Sequence, residues 1–200
     1  VNQAAGYHMS WLTQILPQLD ERNAFRRIDF TASAYNVNNK TVRDLGIAVL
    51  LCPSDPVSMG AKPEATSYAG CHHHVEAPID VNNMGVLFLN SRVRLEDVSD
   101  GLAYTIFLGE KIIEQNTDLG WMSGTRATLR NTGTPIQTGG PALPAGGAMT
   151  SAPGGGAGKT SVPPEGDPAN PTAGGAVGGA NPLLYVGGFS TYHPGGMNVA

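Results

Sequence analysis

Apolar residues fall at helical spacing only near the start of the chain. Trp11, Leu12, Ile15, Leu16 and Leu19 recur at intervals of three and four, which is the repeat of one helix face. Ser10 stands before them as an N-cap. Pro17 lies inside the run, removes a backbone donor and predicts a kink or restart. The pattern is that of one broken amphipathic helix over 8–28. A short helix is predicted from Thr41, with Gly46 as its stop.

Further along, short apolar runs are bounded by turn formers, which is the signature of strands. Ile47 to Leu51 reads as a buried strand that Pro53-Ser54-Asp55-Pro56 ends. Thr66 to Gly70, Gly85 to Leu89 and Tyr104 to Leu108 read likewise, and one more is expected around Trp121 and Met122. Leu183 to Phe189 is a further strand, and Met197 to Ala200 begins another. One helix followed by roughly six short strands describes an α+β domain, with the helix against an antiparallel sheet.

Composition adds a second segment. The chain of 200 residues has 27 glycines and 15 prolines, or 21%, where about 12% is usual. The excess is concentrated in residues 139–182, where Gly, Pro and Ala fill 30 of 44 positions. Such a stretch buries too little apolar surface to offset its ordering entropy. It has no strict Gly-X-Y period, so it is not collagen. The organisation expected is a helix and sheet over 1–138, a Gly/Pro/Ala-rich loop or arm over 139–182, and strands of the same domain over 183–200.

Charge narrows the function classes. Charged residues are 14% of the chain and the net charge is −4. The longest basic feature is Arg26-Arg27, too little to neutralise a phosphate backbone, so no nucleic-acid partner is expected. No apolar run reaches the roughly 18 residues of a membrane span. The chain begins at Val1, and a signal or anchoring helix before it is expected, through which any membrane contact would run.

Several residues invite chemistry. His72, His73 and His74 are consecutive, and on a strand His72 and His74 share a face. Imidazole is a common ligand for Zn, Cu or Ni, so His72 and His74 are metal candidates, with His193, His8, Glu76 or Asp80 completing the set. The alternative is a polar turn, or side chains packing at a strand end. Glu96, Asp97 and Asp100 cluster beside Gly101 as a calcium candidate without EF-hand spacing, or as a solvated turn. Cys52 and Cys71 allow one disulfide, closing a loop of about 20 residues and worth roughly 3 kcal/mol, or else two buried thiols. No G-x-S-x-G elbow, P-loop, dinucleotide fingerprint or H-E-x-x-H is present, so no enzyme is expected. Bottom-up, Gly101 and Gly109 suit positive-φ turns, with Asp100 as turn former. Glu110 suits backbone donors or an Arg, Trp11 anchors helix to sheet, and His193-Pro194-Gly195-Gly196 forces a tight reversal.

Seven ordered segments carry a resemblance. They are 10–19, Leu51-Cys52-Pro53-Ser54-Asp55, 66–70, 83–86, 97–101, Thr105-Ile106-Phe107-Leu108-Gly109-Glu110 and 193–198. Together they resemble a planctomycete family of prepilin-like proteins of unknown function, whose members carry a prepilin cleavage and methylation helix and a C-terminal His-x9-Asp-Gly motif. The resemblance implies export, a hydrophobic helix before Val1, the Asp-Gly half of the motif beyond Ala200, and a pilin-like fold. The family has also carried a solute-binding label. The expectation is a structural subunit of an extracellular filament or cell-surface assembly, built of like subunits. The alternatives are a solute-, glycan- or metal-binding module at His72–His74, and a secreted hydrolase.

Overall fold

A computed structural model describes residues 3–62, 64–114, 117–138, 184–193 and 196–200. The Gly/Pro/Ala-rich stretch 139–182 lies outside them, as do Leu183, Pro194 and Gly195.

The broken helix is shorter than its apolar pattern. Helix α1 spans Trp11–Ile15, a 3-10 turn covers Leu16–Leu19, and α2 spans Arg22–Arg26. Pro17 enters the 3-10 turn near its start, and Asp20 ends it at φ 62°. The short helix after Asn39 is α3, Lys40–Arg43. Leu12, Leu16, Ala24, Val42, Ile47 and Leu50 bury against Trp121 and Met122 to make the main core. Trp121 is completely buried, and its Nε1–H donates to Leu45 O at 3.0 Å. Burying each leucine contributes about 1.5–3 kcal/mol.

The fold is α+β, but its sheet is small and mixed. β1 (Tyr68–His73) is central, antiparallel to β2 (Leu108–Glu110) and parallel to β3 (Leu129–Asn131). β4 (Gln137–Thr138) and β5 (Ser190–Thr191) form a separate parallel pair. The wholly antiparallel sheet expected from the run of strands is therefore corrected. β3 reaches its place beside β1 after a long excursion, which is what a parallel neighbour requires.

Five strand expectations are also corrected. Ile47 to Leu51 contains a 3-10 turn, Ala48–Leu50. Its apolar residues serve the helical core, and periodicity alone cannot separate that from a buried strand. Gly85, Val86 and Leu87 donate to the carbonyls of His72 and Cys71 without forming a ladder, since β1 already has β2 and β3 as neighbours. Leu102–Tyr104 is a 3-10 turn, and the strand starts only at Leu108. Trp121 and Met122 lie in a turn, with an isolated bridge at Ser123, and the strand there starts at Leu129. From Leu184 to Phe189 there is only an isolated bridge at Gly188, and the strand is Ser190–Thr191.

Among the glycines, Gly101 has φ +92° as its turn requires, but Gly109 lies inside β2 for a different reason. A Cβ there would stand 3.1 Å from Phe189. Close packing, not a positive φ, selects it.

Candidate functional site

Three segments far apart in sequence meet at the end of β2. Cys52 follows the Ala48–Leu50 turn, Glu110 closes β2, and His193 lies just after β5. Each was among the segments that carry the family resemblance. One ligand-type atom of each lies within 4.8 Å of the others, and among the described residues this is the one group of three His, Cys, Asp or Glu so placed.

Glu110 is the hub. Its Oε2 accepts from Thr191 Oγ1 at 2.6 Å and from His193 Nδ1 at 2.8 Å. Its Oε1 accepts from Asn198 Nδ2 at 2.9 Å. Glu110 is only 4% exposed. Burial pushes its carboxyl up, but the donors from Thr191, Asn198 and His193 outweigh that and hold it below the ordinary carboxylate range. A carboxylate at Nδ1 fixes the ring tautomer and leaves Nε2 as the free nitrogen. That nitrogen lies 3.9 Å from Cys52 Sγ.

Local structure holds the thiol in place. The Cys52 N–H donates to Ser67 Oγ at 3.0 Å, and Asp55 N–H closes the turn onto Cys52 O at 3.1 Å. Asp55 Oδ1 accepts from Val57 N–H at 2.8 Å. Its Oδ2 is buried without a partner. Asp55, Cys52, Glu110, Lys111, Tyr192 and His193 line one cavity of about 10 Å³, the size of a single water-sized occupant. Burial, and then the Asp55 charge, push the Tyr192 hydroxyl up.

The His triplet is built otherwise than expected. β1 shifts register between Cys71 and His73, and a bulge of this kind breaks the alternation of faces. His72 is completely buried, with Nδ1 3.1 Å from Asn83 Oδ1. His73 is buried and its Nδ1 lies 3.0 Å from that of exposed His74. His72 is buried while His74 is exposed, and neither belongs to the group of ligand atoms that holds His193. His8 lies near Tyr35, with ring centroids 6.3 Å apart. Glu76 is occupied elsewhere, accepting from Val186 and Gly187 N–H, Asn131 Nδ2 and Thr134 Oγ1. Asp80 Oδ1 accepts from Asn82.

The calcium candidates do not converge either. Asp97 Oδ2 accepts from Arg94 N–H at 2.8 Å, Glu96 pairs with the Arg94 guanidinium at 3.0 Å, and Asp100 faces Thr105. They are turn-forming groups. Cys52 and Cys71 are both free and buried, so the disulfide is not formed. Cys71 Sγ donates to His73 O at 3.6 Å inside the sheet, while Cys52 faces His193. Trp11 Nε1–H donates to Thr128 O at 2.9 Å, tying α1 to the segment before β3.

The sequence offered backbone donors or an Arg for Glu110, and a disulfide or a buried free thiol for Cys52, of which the structure shows the thiol; it gave Asp55, Thr191 and Asn198 no site role. The signal available was that three motifs of the ordered set each carried one Cys, Glu or His.

Residues 1–200 match a family described as "Protein of unknown function (DUF1559)". No curated protein and no solved structure matches the chain.

Proposed function

Starting from the fact that this chain belongs to that family of unknown function, we propose that it is the extracytoplasmic head of a pilin-like subunit, which assembles with copies of itself at the cell surface. The observation that carries this reading is one exposed apolar face. Met84 is 72% exposed, Leu95 66% and Tyr104 85%. Met84 and Tyr104 line a groove of about 810 Å³ together with Val86, Val93, Val98 and Ile106. Contiguous apolar surface of this kind marks an interaction site. A chain of low charge that presents the same face on every copy is suited to packing against itself.

The subunit is non-catalytic in this reading. Support comes from the cluster at Cys52, Glu110 and His193, whose thiol belongs to a residue only 7% exposed beside a cavity too small for an organic substrate. A Cys-His-Glu alignment does resemble an activated nucleophile, but the backbone N–H of Cys52, a natural oxyanion donor, is already given to Ser67. The cluster instead ties β2 to the segment after β5.

Cross-linking tests the proposal. A membrane-impermeant amine reagent applied to intact cells that produce the protein should give dimers and higher ladders of this chain. Met84→Asp with Tyr104→Asp should reduce them. Monomer alone, or ladders that the double variant leaves unchanged, would overturn it. No helix among the described residues is long and apolar enough to cross a membrane.

A further inference from the structure

We propose that Cys52, Glu110 and His193 form a site for one divalent transition-metal ion of the zinc type. The inference does not depend on the assembly reading. It rests on two independent observations.

The first is the donor set. A thiol, an imidazole and a carboxylate lie with one ligand atom each within 4.8 Å of the others. These are the donors that zinc takes, at about 2.3 Å for sulfur and about 2.0–2.2 Å for nitrogen and oxygen. Ligands at those lengths around a tetrahedral ion stand about 3.3–3.8 Å apart. His193 Nδ1 and Glu110 Oε2 stand 2.8 Å apart across one proton; an ion that took that proton's place would need them to part by only about 0.5 Å, with Cys52 Sγ as the third ligand. Softness also matters. A thiolate disfavours magnesium and calcium, which take oxygen donors.

The second is Asp55. It is 4% exposed, its Oδ2 has no hydrogen-bond partner, and it lines the same cavity as the three ligands. A buried carboxylate oxygen left unpaired is costly. A cation in a cavity of about 10 Å³ offsets that cost through a metal-bound water in the fourth position. The cavity volume admits such an occupant and nothing larger.

Binding would displace the Cys52 thiol proton, since the thiolate is the ligand. Ser67 Oγ, which accepts from the Cys52 backbone, and Thr191 and Asn198, which donate to Glu110, would orient the ligands as outer partners. The ion would staple the segment after β5 to β2 and to the Cys52 turn.

Cobalt titration tests this. The purified chain, stripped of metal by a chelator, is titrated with Co²⁺. The expected result is one equivalent bound, with a near-ultraviolet thiolate-to-cobalt charge-transfer band that Zn²⁺ abolishes by displacement. Cys52→Ser should remove the band. His193→Gln or Glu110→Gln should weaken binding about tenfold or more, while Cys71→Ser and His72→Gln should leave the band in place. Circular dichroism of each metal-free variant reports whether it folds. Should Cys52→Ser not fold, alkylation of the wild-type chain replaces it. Zn²⁺ should then slow modification of Cys52 and leave that of Cys71 unchanged, read by peptide mass. No charge-transfer band in the wild type, a band that survives Cys52→Ser, or equal protection of both thiols would overturn the proposal.

Discussion

His72 is completely buried, and its Nε2 has no hydrogen-bond partner. Only the neutral imidazole is tolerated in such a place. Burial holds its pKa below the ordinary histidine range; the Asn83 bond and the Glu76 charge oppose this, and His73 and Arg130 reinforce it. His73, also buried, is shifted the same way by burial and by His74. The folded state therefore takes up protons later than the unfolded chain as pH falls. Stability from these residues is fully present above the unfolded pKa of about 6.5 and is lost as pH drops below it. Urea unfolding at about pH 7.5 and about pH 5.5 should give a lower midpoint at the acid value, and His72→Gln should flatten that difference. An unchanged slope would show that His72 is not the group responsible. The sequence left this triplet as metal ligands, as a polar turn or as side chains packed at a strand end, and the last is what β1 shows for His72 and His73. A register shift in β1 decides which histidine turns inward, and no local pattern announces a bulge.

At the scale of the element, β2 and the loop after it place charge where apolar residues would ordinarily lie. The Lys111 side chain is fully buried and pairs with Asp118, itself 7% exposed. Nearby, Glu114 takes Arg126 and Arg130 together, and Arg130 also donates to Val186 O at 2.9 Å. Burial pulls the Lys111 pKa down while Asp118 pushes it up. Removing one partner of such a pair leaves an uncompensated buried charge. Asp118→Ala should therefore cost about 3–5 kcal/mol, and Lys111→Met far less, because an apolar replacement needs no partner. Equilibrium denaturation of the two variants checks the order, and equal losses would refute it. Lys111 stands directly after β2, where a lysine ordinarily meets solvent. Its burial follows from Asp118, seven residues on, which no strand periodicity connects to it. The 3-10 turn at Ala48–Leu50 was equally hidden, since a buried strand and a buried turn share one apolar run. The helical start was legible because Trp11, Leu12, Ile15 and Leu16 have no other period to satisfy.

At the scale of the whole molecule, two kinds of cohesion divide the fold. Residues 9–50 share one apolar core with Trp121 and Met122. The segment after residue 184 has a small apolar patch, with Phe189 and Met197 against Ala69 and Cys71, and is otherwise held by polar hubs. Glu110 binds Thr191, His193 and Asn198, and Glu76 binds the N–H groups of Val186 and Gly187 at 2.8 and 2.9 Å. Glu76 also accepts from Asn131 at the end of β3 at 2.7 Å, so it joins that segment to the sheet. Hydrogen bonds to a charged group are worth about 1.5–3 kcal/mol each when both partners are screened from water. Glu76 is exposed, which places its contribution towards the lower end. Losing this hub should loosen one side of the molecule and leave the other intact, since the main core contains neither Glu76 nor its partners. In Glu76→Ala, amide exchange should accelerate at Val186 and Gly187. The amides of Ser10 and Trp121, which donate to Met122 O and Glu64 O, should keep their protection. Faster exchange at all four positions would mean that the two regions unfold as one unit, and that the polar hubs carry global and not regional stability.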